Sequence, residues 1–551
     1  MDSTIKFRLN DEPVNTTLAP GTPVLDFLRK DAVLSGTKEG CREGDCGACA
    51  VLVGEADRDG GGARYRALPS CLLALGELRD CHLITIEGLC SGRRDGLTPV
   101  MRAFLEENAS QCGFCSPGFV IALTAWLANP DATPDLAGAM TAVDGNLCRC
   151  TGYGSIRRAA SRLVREFAGL PSLSRPRLEA LVRLGVLPAS VKAFLEEIKG
   201  RASIAPDMVC GAVPTGGTAL TDGTAPTGDS APTGPSVALG GGTDWYVRNP
   251  DPEPGFSPIL LRSLPGFSGI AIGVRNGDRR LELGGALRVS EFFASPTVRA
   301  SLPGLMPFEH AFASTLIRNL ATLGGNIANA SPVGDLTSMF IALGTTLEIV
   351  ALSPDQAPAG QVPVQSRDSA RGRPYAPRVV ALCDFFLDYK KTELHPGEAI
   401  RRIFVPLGQD DANPLRFSFE KAAKRSHLDI AAINTALAFR VSNGVMKDAR
   451  LSAGGVAPVP RLLEKASSLL EGTRIDTDAP ALAALARAVA ATAEGEISPI
   501  GDVRGSADYR RRMMGRFVLA HFLRLFPGPW SGAGSGPGSE SGSGLAEELF
   551  P

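Results

Sequence analysis

Ten of the twelve cysteines in this 551-residue chain fall before residue 151, and eight of those ten stand in two spaced sets. Thiols packed this densely into loops either pair as disulfides or close around metal. The opening residues, MDSTIKFRLNDEP, show no basic stretch followed by an apolar run, so no secretory signal is expected. The longest apolar stretch, around Phe119–Ala128, is far short of the roughly 20 residues a spanning helix needs. A cytoplasmic, reducing location is therefore expected, and with it metal or cluster ligation by the thiols. The 57 basic and 58 acidic residues nearly cancel, which argues against nucleic acid or an anionic membrane as partner.

Cys41, Cys46 and Cys49 form C-x4-C-x2-C, with Cys71 further on, which is the plant-type [2Fe–2S] spacing. Two sulfide-bridged irons need four converging thiolates, three of them here from one tight loop. Gly40, Gly44 and Gly47 let that loop adopt positive φ and bring backbone N–H groups to the sulfurs. Zinc sites more often pair two CxxC units, so a cluster is the expectation. In the second set Cys112 and Cys115 are C-x2-C, and Cys148 and Cys150 are C-x-C. Each pair precedes a helix, whose positive end suits an anionic centre. Thr151 or Ser155 is the expected cap of the second of these helices. The residues alone leave this set open between zinc and [2Fe–2S]. Cys81, Cys90, Cys210 and Cys383 read as ordinary thiols. The histidines at 82, 310, 395, 427 and 521 have no metal-site spacing.

A chain of this length needs several cores. Residues 1–88 read as a β-grasp-like ferredoxin unit: strands at Ile5–Leu9, Val14–Leu18, Ala50–Val53 and Leu83–Glu87, and a short helix carrying Val24, Leu25, Phe27 and Leu28. Residues 89–168 read as all-helical, with helices at Met101–Asn108, Pro117–Ala128, Leu136–Val143 and Ser155–Phe167. Residues 169–235 read as a linker, partly of low complexity (GTALTDGTAPTGDSAPTGPS), and 529–551 as a disordered Gly/Ser tail. Between them, residues 236–410 and 411–528 read as two α+β portions. The clearest helices there are expected at Ser426–Arg440, Ala479–Glu494 and Ser506–Leu525. In the last, Tyr509, Met513, Phe517 and Ala520 form an apolar stripe opposite a solvated face of Arg510, Arg511 and Arg512.

Two segments suit a phosphate-bearing ligand. LGGGTDW places Leu239, Gly240, Gly241, Gly242, Thr243 and Asp244 in a glycine-rich turn after a strand, whose N–H groups can cradle an anion. IRNLATLGGNIANASPVGDL supplies Thr322, Gly324, Gly325, Asn326, Ser331 and Asp335, donors without bulk plus an acceptor for a ribitol or ribose. A ligand-free polar turn fits the composition of the second segment equally well and that of the first better, since glycine-rich turns are common.

QCGFCSPGFVIAL and NLCRCTGYGSI resemble the helical iron–sulfur domain of the molybdenum hydroxylases, the family of xanthine dehydrogenase, aldehyde oxidase and carbon monoxide dehydrogenase. GCREGDCGAC resembles that family's ferredoxin-like domain, and the two glycine-rich segments resemble its FAD-binding segments. DYKKTELHPGEAI, FEKAAKRSHLDIAAIN, LSAGGVAPVPRLLEKA and DVRGSADYRRRMMGRF continue the match. The resemblance implies two [2Fe–2S] clusters and one FAD. It places Gln111 against the pterin of a molybdenum cofactor, Phe312 over the isoalloxazine and Lys421 at the cofactor edge. The order of domains is similar to small subunits of the bacterial xanthine dehydrogenase type. That similarity implies a molybdopterin-binding large subunit as partner in an α2β2 heterotetramer, hypoxanthine and xanthine oxidised to urate there, and NAD+ as acceptor. An aldehyde or N-heterocycle hydroxylase using the same relay, and a zinc-stabilised scaffold, are the rival readings.

Overall fold

The first β-hairpin follows from simple alternation. Ile5, Phe7 and Leu9 are buried on one face of β1 (Ile5–Leu9), and β1 pairs antiparallel with β2 (Glu12–Thr16) across a turn with Asn10 at φ 54°. With β3 (Ala50–Ala56), β4 (Ala63–Pro69) and β5 (His82–Ile84) they make a five-stranded sheet in the order β2-β1-β5-β3-β4. The β1–β5 pair is parallel and β5 runs antiparallel to β3. The short helix forms as expected and buries Val24, Leu25, Phe27 and Leu28. Strand β4 is not among the strands expected from the sequence; its signal was the alternation of Ala63, Tyr65 and Ala67, all buried.

The structure is a computed structural model, and it describes residues 4–57, 61–90, 96–199, 237–275, 277–352, 377–408, 415–425, 428–475 and 479–526. The low-complexity segment, the Gly/Ser tail, Cys210 and His427 lie outside the described residues. The chain divides into two units, residues 1–273 with 350–376 and 395–399, and residues 274–349 with 377–394 and 400–551. No helix among the described residues is long and apolar enough to cross a membrane.

In the first unit, α1 (Pro99–Glu106), α2 (Ser116–Ala128), α3 (Leu136–Ala142) and α4 (Gly154–Glu166) form the expected helical group. Helix α2 is apolar all round, buried from Gly118 to Ala128, because it packs on its sister helices and also against β3 and β4. The start of the expected linker is a correction: residues here form α5 (Ser174–Arg183) and α6 (Ser190–Glu197). Leu178, Leu181, Val191, Phe194 and Leu195 are buried, and Arg177 caps the end of α2 by donating from Nε to Leu127 O at 2.6 Å. Phe194 lies against Tyr65 and His82 of the sheet. These helices carry enough apolar side chain to offset their ordering, unlike the Thr/Ala/Pro-rich stretch that follows.

In the second unit β6 (Asp278–Gly284) pairs antiparallel with a strand over Glu398–Pro406 through Arg402–Pro406, and Thr346–Ala351 pairs with Arg378–Ala381. The C-terminal portion is a four-stranded antiparallel meander: β7 (Leu415–Ala422), β8 (Ile433–Ser442), β9 (Val445–Gly454) and Arg461–Leu462. The helix expected over Ser426–Arg440 is a second correction, since Ile433–Ser442 is strand β8. Its apolar run is buried on both faces, which erases the alternation that marks a strand. The overlooked signal was Asn443-Gly444, both at positive φ, closing the β8–β9 hairpin at Ser442 and Val445.

Helices over Glu464–Leu470 and Ala507–Leu525 pack on this sheet, and the helix over Ala479–Glu496 packs on both of them. The face of the helix over Ala507–Leu525 is also corrected. Arg510, Met514, Phe517, Val518, His521 and Phe522 point inward, while Tyr509 is exposed. Arg510 is buried because its guanidinium binds Ile500 O and Asp502.

Candidate functional site

The first cysteine loop is held open by residues in the left-handed region, Arg42 (φ 57°), Gly44 (φ 77°) and Gly47 (φ 67°). Its four thiols fall into two pairs. Cys49 Sγ lies 3.3 Å from Cys71 Sγ, and the Cys46 thiol donates to Cys41. That S–H lowers Cys41 to about 5 against the opposing effect of burial, and the N–H groups of Glu43, Asp45 and Cys46 add to it. A Cβ on Gly40 would sit 2.8 Å from Cys46 Sγ, so only glycine leaves that sulfur its place.

The second set also falls into two pairs: Cys150 Sγ is 3.7 Å from Cys112 Sγ, and Cys148 meets Cys115. Cys115 is the N-cap of α2, and Cys148 and Cys150 lie on the turn before α4. Neither Thr151 nor Ser155 caps α4. Tyr153 does so in the left-handed conformation (φ 65°), and its hydroxyl accepts from Cys148 N–H at 3.1 Å. Thr151 instead donates from Oγ1 to Cys148 Sγ at 3.1 Å. Cys112 and Cys150 are exposed, as is Gln111, so this set faces outward, whereas Cys49 and Cys71 are buried.

Among the described residues no three or more Cys, His, Asp or Glu side chains close on a single point as a zinc site requires. Thiols in two separate pairs are what a two-iron cluster needs, since sulfide bridges fill the remaining positions on each iron. The donor sets therefore fit [2Fe–2S] clusters better than they fit zinc.

The two sets are joined within the first unit. Leu147 N–H donates to Cys46 O at 3.0 Å, and buried Asn146 donates from Nδ2 to Gly47 O at 3.2 Å. On its other side the ferredoxin-like domain meets LGGGTDW. Tyr246 OH donates to Gly21 O at 2.8 Å, and a Cβ on Gly242 would stand 3.4 Å from the carbonyl of Leu72, next to Cys71. Arg42 reaches Pro250 O and Asp251 from the cysteine loop.

In the LGGGTDW segment Leu239 is buried at the end of a two-residue strand, and Gly240 follows it. Gly242 (φ 71°) precedes a short helix over Thr243–Arg248 that begins Thr243-Asp244. The N–H groups of Gly241, Gly242 and Thr243 meet no acceptor among the described residues, as a phosphate cradle requires.

In the second unit Thr322 Oγ1 accepts from Gly325 N–H at 3.2 Å, capping a helix over Leu323–Ala328, and Gly324 N–H donates to Gly285 O at 2.7 Å. A Cβ on Gly324 would lie 2.6 Å from that oxygen. Asn326 Oδ1 is buried with no partner among the described residues, an acceptor suited to a ligand hydroxyl. Ser331 is half-buried and its carbonyl accepts from Gly334.

Asp335 and Lys421 are turned toward each other and not outward. Lys421 Nζ lies 2.7 Å from Asp335 Oδ2 and 2.7 Å from Ala311 O, while Asn434 Nδ2 donates to Asp335 Oδ1 at 2.7 Å. Lys421 and Asn434 are cross-strand neighbours on β7 and β8, which is why they reach one carboxylate. Burial pushes the Asp335 carboxyl up, opposed by Lys421 and Asn434. Buried Phe312 has its carbonyl bound by Arg318 Nη1 at 2.8 Å, and Ala313 O accepts from the same nitrogen. Arg318, Asn434 and Asn146 escaped sequence reasoning.

Four domain families match in chain order: "2Fe-2S iron-sulfur cluster binding domain" at residues 7–76, "[2Fe-2S] binding domain" at 85–161, "FAD binding domain in molybdopterin dehydrogenase" at 238–364 and "CO dehydrogenase flavoprotein C-terminal domain" at 418–525. Xanthine dehydrogenase 2 of Arabidopsis thaliana is 29% identical over 505 residues, 82% of this chain and 35% of its own. Nicotinate hydroxylase hnxS of Emericella nidulans is 27% identical over 632 residues, 99% of this chain and 42% of its own. The chain thus spans well under half the length of these relatives. The structure of reconstituted CO dehydrogenase from Oligotropha carboxidovorans aligns at 24% identity and a TM-score of 0.42, covering 52% of this chain and 88% of that one. The chain thus carries two [2Fe–2S] cluster domains followed by an FAD-binding domain and a flavoprotein C-terminal domain, for two [2Fe–2S] clusters and one FAD.

Proposed function

We propose that this chain is the electron-transfer subunit of a xanthine dehydrogenase. Cys112, Cys115, Cys148 and Cys150 hold the cluster nearest a molybdopterin-binding large subunit. Cys41, Cys46, Cys49 and Cys71 hold the next, and the residues proposed for FAD are Leu239, Gly240, Gly241, Gly242, Thr243 and Asp244 of the first unit and, of the second, Phe312, Thr322, Gly324, Gly325, Asn326, Ser331, Asp335 and Lys421. The observation that carries this reading is the order of contacts in the first unit: the outward-facing set touches the first loop through Leu147 and Cys46, and Leu72, the neighbour of Cys71, lies against Gly242.

A bound flavin accepts electrons singly and returns them in pairs, which suits NAD+ as final acceptor. The chain's own contribution is spacing and electrostatics. Backbone N–H groups offset the charge on Cys41, Thr151 offsets that on Cys148, and burial of Cys49 and Cys71 keeps water from the inner set. The proposed assembly is a cytoplasmic α2β2 heterotetramer oxidising hypoxanthine and xanthine to urate, with domain boundaries near 88, 168, 236 and 410. A second reading, an N-heterocycle hydroxylase with the same relay, draws support from the nicotinate hydroxylase relative.

Co-purification with the bound partner, followed by molybdenum, iron and flavin analysis, tests the assembly. Turnover of xanthine, nicotinate and an aldehyde then tests the substrate. NAD+ reduction with nicotinate but none with xanthine overturns the first reading in favour of the second.

A further inference from the structure

Arg42 directly follows Cys41 in the first cysteine loop and has φ 57°, in the left-handed region that a residue with a side chain keeps only where its surroundings hold it there. Its own side chain supplies the hold. Nη2 donates to Asp26 Oδ1, Nε donates to Glu39 Oε1 at 2.9 Å, and Nη1 donates to Asp251 Oδ1 at 2.9 Å and to Pro250 O at 2.8 Å. Every nitrogen of the guanidinium is engaged. The anchors come from three places: the short helix Val24–Asp26, the cysteine loop itself, and the FAD-binding domain that begins at residue 238. Lys30 lies 3.6 Å from Asp26 and Arg29 lies 4.0 Å from Glu39, so cations and carboxylates balance in this corner. Arg42 therefore brings the sulfurs little net charge, and its contribution is geometric.

The turn it opens has a chemical result. The next four N–H groups all point at sulfur, those of Glu43, Asp45 and Cys46 at Cys41 and that of Gly44 at Cys71. Glu43 N–H reaches Cys41 Sγ at 3.3 Å. Gly44 and Gly47 take positive φ without help, because glycine has no Cβ to clash. Arg42 has no such freedom. Donors aimed at sulfur stabilise the extra negative charge of a reduced cluster, so their aim affects its potential.

We propose that Arg42 is a positioning residue for the first cluster. Its grip on Asp26, Glu39 and Asp251 holds the turn that aims four N–H groups at the cluster sulfurs. The FAD-binding domain, by supplying Asp251 and Pro250, thereby sets the potential of the cluster beside it. The proposal rests on the cluster assignment given under Proposed function. The step it tunes is reduction of that cluster by one electron, drawn in the relay from the outer cluster, which is oxidised. No bond forms or breaks and no proton moves.

The test compares wild type with Arg42→Lys and Asp251→Ala, using the full chain with both clusters and FAD loaded. Iron, acid-labile sulfide and flavin per chain are measured first. Each cluster's midpoint is then read by low-temperature EPR during a mediated dithionite titration. Lysine keeps the charge of Arg42 but cannot bridge three anchors with one ammonium. Alanine at 251 removes an exposed carboxylate and one arm of the grip. Charge alone would leave the first cluster's midpoint unchanged in Arg42→Lys and raise it in Asp251→Ala. The expected result is the opposite sign: a more negative first midpoint in both variants, with the second cluster's midpoint native. An unchanged or raised first midpoint in Asp251→Ala with full cofactor content overturns the proposal. An equal fall in both clusters' midpoints marks a general loosening and overturns it too. If Arg42→Lys loads no first cluster, Asp251→Ala decides alone. Iron for fewer than two clusters in the wild type overturns the underlying cofactor reading, and that result appears before any variant is titrated.

Discussion

The Asp335–Lys421 pair makes the sharpest prediction because its two halves are not equivalent. The side chains are 10% and 13% exposed. Asp335→Ala leaves a buried ammonium whose remaining contact among the described residues is Ala311 O, and it removes an acceptor from Asn434. Breaking a buried pair in this way costs about 3–5 kcal/mol. Lys421→Met leaves a carboxyl instead, and a carboxyl can neutralise itself. Burial already pushes it upward, and without Lys421 it takes up a proton while Asn434 continues to donate. That loss is about 1–3 kcal/mol. The assay is the urea midpoint of flavin release. With a slope of about 2 kcal/mol per molar, Asp335→Ala lowers the midpoint by about 2 M and Lys421→Met by about half that. The sign with pH separates them further. A folded carboxyl that holds its proton more tightly than the unfolded one gains relative stability as pH falls, so the Lys421→Met deficit shrinks between pH 7 and 5. The Asp335→Ala deficit does not. A Lys421→Met midpoint as low as that of Asp335→Ala, or a deficit that grows in acid, refutes the reasoning.

Gly324→Ala drives a Cβ to 2.6 Å from Gly285 O, a backbone atom, and is expected to cost about 1–3 kcal/mol and lower the FAD content, measured as the flavin-to-protein ratio. Cys49→Ala should remove one cluster's worth of iron and acid-labile sulfide and leave the other set loaded, read by EPR; loss of both clusters would count against two separate sites. Buried His82 is lowered to about 4 and buried His521 to about 3, both chiefly by burial. Each is therefore neutral when folded, its contribution is complete above the unfolded pKa near 6.5, and it is lost as pH falls below that. The loss is about 3 kcal/mol per histidine by pH 4.5, and His521→Gln should flatten the acid limb of the urea-midpoint profile by its share.

The cysteine spacings, the glycine-rich segments and the strong amphipathic helices were legible because each is a local requirement: a ligand count, a positive φ, a periodicity. They marked the first cluster loop outright, while the second cysteine set stayed open between zinc and a cluster, and the glycine-rich segments between ligand and bare turn, until the family resemblance of the motifs decided. Strand β8 was misread for a physical reason, since burial on both faces removes the alternation that distinguishes a strand from a core helix. The helices Ser174–Arg183 and Ser190–Glu197 lay beside a low-complexity stretch, and only their packing on α2 and the sheet separates them from it. Only tertiary structure decided that Lys421 and Asp335 face each other, that Arg510 is buried, and that Leu147 meets Cys46. Those are distances between residues far apart along the chain. Composition and period carry no record of them, whereas the identity of a ligand is written in the residue itself.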